Sequence, residues 1–542
     1  LLLVLSTVSA QQQCMPCKLA VTSAKTELID KGGINGVEKA FAEMCTKIAG
    51  EKICTPLLLS YSDFFLSAGV DRIFDPDWFC WKAELCTSPV YKPASPTAWA
   101  EKALAGKPAD KIPSNKSKNK INFTHLTDMF VDQTYVEGSD SNCNDRICCR
   151  TGTPSSSSDA AGMYGNFNCD LPLTTVSLAL EKIGSTQNNF VVWTGNTVSH
   201  SVQNSSQAKS LSTITAVTQI VQTNMKNVPV YPTIGPMDCF PPGQFNFIRG
   251  DPMAASLNTL WKNWIPTNAQ TTFKLYGYYT TLHPGTKLRI VALNTLACYR
   301  YNTNLLASPE DPGNQLSWLN STLITAERNG EGVIIIGSIA PADTSCSTNW
   351  SYRYSALIDR FSNTIRAQIF GNSQTDEMHV TRGPFSNKAV GVQWQSPSLS
   401  SFKDLNPSYR IYELDADSYL LRNFYQYRLD LVKANSVPGT AFKLIYNFED
   451  FYLSNGMQPK AIDFWLNTLK RSELRFLKYL SNFYAGGPKT PTSCGLDCQD
   501  DLYCSMRYGT DDSIRECQDL LPSPSQFLAD MLIGNWTEAV AK

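Results

Sequence analysis

Six apolar runs, each closing on a polar turn, set the rhythm of the middle of the chain: INFTHLTDMF, FVVWTGN, VPVYPTIGP, LRIVALN, GVIIIGS and AQIFGNS. Short runs rich in Val and Ile, bounded by Gly, Pro and Asn, predict buried strands. Helical periodicity at Leu173–Ile183 and Leu211–Met225 separates the first of them. Residues 121–450 therefore read as an α/β domain, with its chemistry expected in the turns that follow the strands. Before it, Ile34, Val37, Phe41, Met44 and Ile48 recur at three- and four-residue steps within residues 11–87, which predicts an amphipathic helix. Residues 88–120 are rich in Pro, Ala, Ser and Lys and read as a linker with one helical stretch at Trp99–Leu104. Residues 451–542 return to a helical pattern, carried by Ile462, Trp465, Leu466 and Leu469. The expectation is a multidomain α+β protein.

The 542 residues carry a formal net charge of −1 and no long run of Lys or Arg, so a nucleic-acid partner is excluded. Residues 1–10, LLLVLSTVSA, read as the remnant of a signal peptide. No later stretch approaches the roughly 20 apolar residues of a membrane helix. Seventeen cysteines point to an oxidising compartment, secreted or lumenal, with a lysosome-like lumen included. Sequons at Asn115, Asn204, Asn320, Asn349 and Asn535 are expected to carry glycans, whereas Asn122 falls inside a strand. The C-x-x-C at Cys14 and Cys17 has no histidine near it, which favours disulfides over zinc.

The turns themselves are short of chemistry. IFGNSQ has the shape of a catalytic turn, yet Asn372, Ser373 and Gln374 are poor metal ligands and poor bases. Their order, with TDMF, WTGN, IGPMD and IIGSI before them, resembles that of calcineurin-like metallophosphoesterases. The stretches HLTDMFVDQTYVEGSDSNCNDRICCR, NCDLPLTTV, VVWTGNTVSH, VPVYPTIGP and LNPSYRIYELD bring the chain closer to the acid sphingomyelinase-like family. That family joins a small all-α saposin domain to a metallophosphoesterase-type β-sandwich flanked by helices, followed by a helical C-terminal subdomain.

The resemblance implies two zinc ions, and here the motifs are degenerate. Of eight motif positions only Asp128 keeps its residue; the others are Phe130, Asn196, Pro236, Met237, Ser338, Asn372 and Gln374. His200 matches a further active-site histidine of the sphingomyelinase group, while His125, His283 and His379 match none. A Ser338–His200–Asp128 set is conceivable in one pocket, but no G-x-S-x-G elbow supports it. The resemblance also implies disulfides Cys14–Cys86, Cys17–Cys80, Cys45–Cys54, Cys143–Cys148, Cys149–Cys169, Cys298–Cys346, Cys494–Cys498 and Cys504–Cys517, which leaves Cys239 over, expected as a buried free thiol rather than an intermolecular bridge. The sequence thus leads to the expectation of a zinc-free pseudoenzyme that binds lipid through the saposin domain, or a protein partner. The rival expectations are a self-assembling structural protein and a residual phosphodiesterase.

Overall fold

The computed structural model describes residues 10–26, 75–82, 86, 95–111, 117–143, 147–154, 156–202, 205–306, 310–454, 456–469, 472–508 and 517. The apolar stripe from Ile34 to Ile48, the Cys45–Cys54 pair, residues 1–9 of the signal-like segment and the sequons at Asn115, Asn204 and Asn535 lie outside them. Of the other sequons, Asn320 is half-buried on a helix and Asn349 is exposed.

Twelve strands form two six-stranded sheets among the described residues. In the first sheet, β1 (Lys120–Leu126), β2 (Phe190–Trp193) and β3 (Val230–Pro232) run parallel. β10 (Ser408–Asp415), β11 (Leu421–Arg428) and β12 (Lys443–Asn447) extend that sheet antiparallel from β1. In the second sheet, β5 (Leu288–Ala292), β6 (Gly332–Ile339), β7 (Ile365–Gly371) and β9 (Ala389–Gln395) are parallel. They are bordered by antiparallel β4 (Tyr279–Leu282) and β8 (Glu377–Arg382). The six apolar runs of the sequence are β1, β2, β3, β5, β6 and β7. They are parallel because helices such as Leu173–Gly184 and Gln207–Asn224 carry the chain back between successive strands. Both sheets feed one continuous apolar core, from Phe123 and Trp193 on one side to Ile335 and Ile369 on the other.

One turn begins later than the sequence suggests. β6 continues through Gly337 and Ser338 to Ile339, with its pairing to β7 irregular there, so Ser338 lies buried inside a strand.

The linker is tied down along the domain. Helix Pro96–Leu104 packs on helix Thr348–Arg360, Lys107 pairs with Asp359 at 2.6 Å, and Asn363 exchanges hydrogen bonds with Lys111 and Ala109. At the other end, helices Pro459–Leu469 and Leu496–Arg507 cover β8, with Ile462, Trp465, Leu466 and Leu469 turned inward. Helix Glu473–Phe483 packs beside the first of these.

Near the N-terminus, helices Ala10–Lys25 and Pro76–Lys82 are clipped together by Cys14–Cys86 and Cys17–Cys80. The structure further pairs Cys143–Cys148, Cys149–Cys169, Cys298–Cys346, Cys494–Cys498 and Cys504–Cys517, and leaves Cys239 as a buried free thiol. No described helix is long and apolar enough to cross a membrane.

Candidate functional site

Where parallel strands of the two sheets end, their turns meet. Asp128 and Phe130 follow β1, Asn196 follows β2, Pro236 and Met237 follow β3, and Asn372 and Gln374 follow β7. Five of these residues are left-handed: Asp128 at φ 54°, Phe130 at 43°, Asn196 at 56°, Asn372 at 72° and Gln374 at 69°. Such backbone is costly for a residue with a Cβ, most of all for one as bulky as Phe, and it persists only where its surroundings over-determine it. The surroundings do so through glycines. A methyl on Gly235 would stand inside van der Waals distance of the Asn196 backbone nitrogen, and one on Gly371 would strike the Thr127 hydroxyl.

Hydrogen bonds close the floor. Met237 N–H donates to Asn196 Oδ1 at 3.0 Å, which fixes the amide's orientation. Its Nδ2 then donates to Asp128 Oδ1 at 2.8 Å and to Asn372 Oδ1 at 3.1 Å. Asp128 Oδ2 accepts from Asn372 N at 2.9 Å and from the Thr127 hydroxyl at 2.7 Å. One amide thus ties together three turns from two sheets. Burial is the largest influence on Asp128 and lifts its carboxyl to about 6, against the pull of the bonds from Asn196, Thr127 and Asn372. Beneath it, Asp238 accepts the N–H groups of Gly235, Asn196 and Thr197, at 2.7–2.8 Å.

The two zinc ions implied by the resemblance do not fit these residues. Zn²⁺ takes thiolate, imidazole and carboxylate, and among the described residues no three such groups converge. Asn196 also turns amide hydrogens, not lone pairs, towards Asp128 and Asn372. Ser338 Oγ and both polar atoms of the Gln374 side chain are buried without a hydrogen-bond partner among the described residues.

A Ser338–His200–Asp128 set is not assembled either. His200 Nδ1 donates to Asp170 at 2.7 Å, and its ring stacks on Phe130 with centroids 3.9 Å apart. His125 bonds Thr194, and burial pulls its pKa down to about 3. His283 bonds Tyr231 at 3.0 Å.

Above the floor opens a cleft of about 430 Å³, lined by Phe130, Asn196, Met237, Asn372, Tyr299 and Tyr301, among others. Glu377 and His379 form another part of its wall. His379 Nδ1 faces the Ser505 carbonyl at 2.8 Å, so that nitrogen carries a hydrogen, and Nε2 faces Glu377 Oε2 at 3.1 Å. Burial works against a charged ring, but the Glu377 hydrogen bond and charge outweigh it and raise the His379 pKa. Burial likewise disfavours the Glu377 carboxylate, and His379 reverses this, holding its pKa low. The cleft therefore contains a hydrogen-bonded Glu–His pair that the motif positions do not reveal. Its trace in the sequence is E-x-H on a strand, a two-residue step that puts both side chains on one face.

A family model described as the acid sphingomyelin phosphodiesterase C-terminal region matches residues 390–521. Sphingomyelin phosphodiesterase A of Dictyostelium discoideum is 28% identical, over 94% of this chain and 91% of its own. The human sphingomyelin phosphodiesterase is 32% identical, over 74% of this chain and 65% of its own. A cyclic GMP-AMP phosphodiesterase of Bos taurus is 29% identical, over 67% and 83%. These relatives overturn the expectation of a pseudoenzyme, because all three are named as phosphodiesterases. That expectation equated loss of the metal-ligand side chains with loss of chemistry.

Proposed function

This chain belongs to the acid sphingomyelinase-like family, and from that premise we propose that it is a phosphodiesterase-type hydrolase acting on a lipid phosphodiester of the sphingomyelin kind, bound in the cleft between the two sheets. The observation that carries this reading is the floor: five left-handed turn residues from both sheets, converging at the strand ends beneath a cleft of ligand size. Backbone strain of this kind collects where a ligand or a reaction requires it. Because the donor set does not suit zinc, the hydrolysis is read as metal-independent and slow.

The N-terminal helices joined by Cys14–Cys86 and Cys17–Cys80 are proposed to belong to a saposin unit that meets the lipid surface. The disulfides accord with a secreted or lumenal setting.

The test is phosphocholine release from sphingomyelin in mixed micelles by the full chain, with and without a chelator. Slow release that survives chelation is the expected result. Release no greater than that from heat-inactivated protein would overturn the reading. Release abolished by chelation would overturn its metal-independence. Flotation with vesicles, with and without residues 14–86, tests the lipid contact; equal flotation of the two forms would remove those residues from it.

A further inference from the structure

We propose that Glu377 and His379 are the proton-transfer pair of the cleft, Glu377 taking the proton of an attacking water and His379 giving one to the leaving alkoxide. This inference rests on the hydrolytic reading above.

Geometry singles the pair out. Glu377 and His379 lie two residues apart on β8, so both side chains issue from the same face of the strand, and both line the cleft. Of the four histidines, His125, His200 and His283 do not line it. The pair is held in place from several elements. The Thr375 hydroxyl donates to Glu377 Oε1, and Gln395 Nε2 reaches Oε2 at 3.5 Å from β9. The Ser505 carbonyl anchors the far side of the imidazole from helix Leu496–Arg507. The charged groups facing the pair are Asp343, from the loop after β6, beside His379, and Asp376, ion-paired with Arg410 of β10, beside Glu377. Tyr479, on helix Glu473–Phe483, adds a neutral hydroxyl near Glu377. A neutral imidazole with its hydrogen on Nδ1 would set its Nε2 lone pair against a carboxylate, so the imidazolium is the form this arrangement selects.

That charge state suits the reaction. A phosphodiester anion entering the cleft meets a fixed imidazolium, and water attacking phosphorus meets a fixed carboxylate. As the water oxygen bonds to phosphorus, Glu377 accepts its proton. Protonated Glu377 no longer holds the Nε2 hydrogen of His379, and as the phosphorus–oxygen bond to the leaving alkoxide breaks, that hydrogen passes to it and makes it an alcohol. The proton on Glu377 then returns to His379 across their 3.1 Å hydrogen bond, and the ion pair is restored. The net change is addition of one water across one phosphorus–oxygen bond.

The experiment is the pH dependence of kcat and KM for sphingomyelin hydrolysis by the full-length protein, then by H379Q and E377Q. For the wild type, kcat is expected to be bell-shaped, failing in acid as Glu377 is protonated and in alkali as His379 loses its charge. H379Q should lower kcat by about 100-fold with little change in KM and remove the alkaline limb; E377Q should do the same to the acid limb. A wild-type profile that is flat from pH 4 to 9 overturns the pair without any variant, so the test survives a variant that fails to fold. Folded variants that keep wild-type kcat and both limbs overturn the pair and leave the hydrolytic reading standing. No turnover by the wild type overturns both.

Discussion

Changing Asn196 to Asp alters one atom of the cleft floor, and its consequence can be worked out from the geometry. Asn196 is 1% exposed and Asp128 is fully buried. The new carboxylate would keep the Met237 N–H but aim lone pairs at Asp128 Oδ1, 2.8 Å away, and at Asn372 Oδ1, 3.1 Å away. Two full charges about 3 Å apart repel by about 6 kcal/mol at an effective dielectric near 20. A cheaper route is for the pair to keep one proton. Holding a proton at pH 7 on a carboxyl of ordinary pKa near 3.9 costs about 4 kcal/mol, so this route sets the size of the effect. The native state then holds a proton that the unfolded chain has released, and stability must fall as pH rises. Wild-type Asp128 itself takes up a proton near pH 6, so the deficit should shrink by about 1.4 kcal/mol in all between pH 7 and pH 5, to about 3 kcal/mol. Urea unfolding of both proteins at pH 7 and pH 5, with a chelator present so that no cation screens the pair, measures it. An N196D protein within about 1 kcal/mol of wild type at pH 7, or a deficit equal at the two pH values, would refute the account of Asn196 as the donor between two acceptors.

Two further outcomes are expected. Burial raises the carboxyls of Asp128 and Asp251 to about 6, well above their ordinary value of 3.8. Groups raised in this way lend stability that is fully present below the unfolded value and lost as pH climbs through the folded one. The melting temperature should therefore rise as pH falls from about 7 to about 4, and a melting temperature that is constant or falls over that range would contradict it. Gly235→Ala should cost about 3 kcal/mol or more in urea unfolding, because its methyl meets backbone that cannot move aside. Gly285→Ala, at φ 72° with open space around it, should cost only about 1 kcal/mol; equal costs at the two sites would sink the interlocked-turn argument.

Much of the fold was legible in the sequence where strands carry an apolar face. β2, β3 and β6 are buried throughout, and β1, β5 and β7 each keep one apolar face, built on Ile121 and Phe123, on Leu288 and Ile290, and on Ala367 and Ile369, so pattern alone marks them. β8 and β11 were not legible. EMHVTR and LRNFYQYR mix charged residues with bulky ones, and their strand character comes from the neighbours they pair with. The placement of the site at the turns was legible for the same reason as the strands. Its internal bonding was not, since the Asn196–Asn372 contact joins residues 176 apart across two sheets. The Glu377–His379 pair stayed hidden because its strand did, and the sequence reading accordingly set His379 aside.

The interlocked turns have a consequence for how any ligand is received. The floor's five unfavourable backbone conformations are held by glycine packing and by the hydrogen bonds of the Asn196, Asp128 and Asp238 side chains, so their ordering is completed when the chain folds. A molecule entering the cleft would freeze out little motion in the floor and would surrender mainly its own freedom. The side chains that decorate this frame are less constrained than the frame itself. Gln374, whose side chain has no hydrogen-bond partner among the described residues, sits on a turn whose path is set by residues elsewhere, and it can change identity while the socket keeps its shape. Selection can thus rewrite what the cleft binds without having to rebuild the cleft.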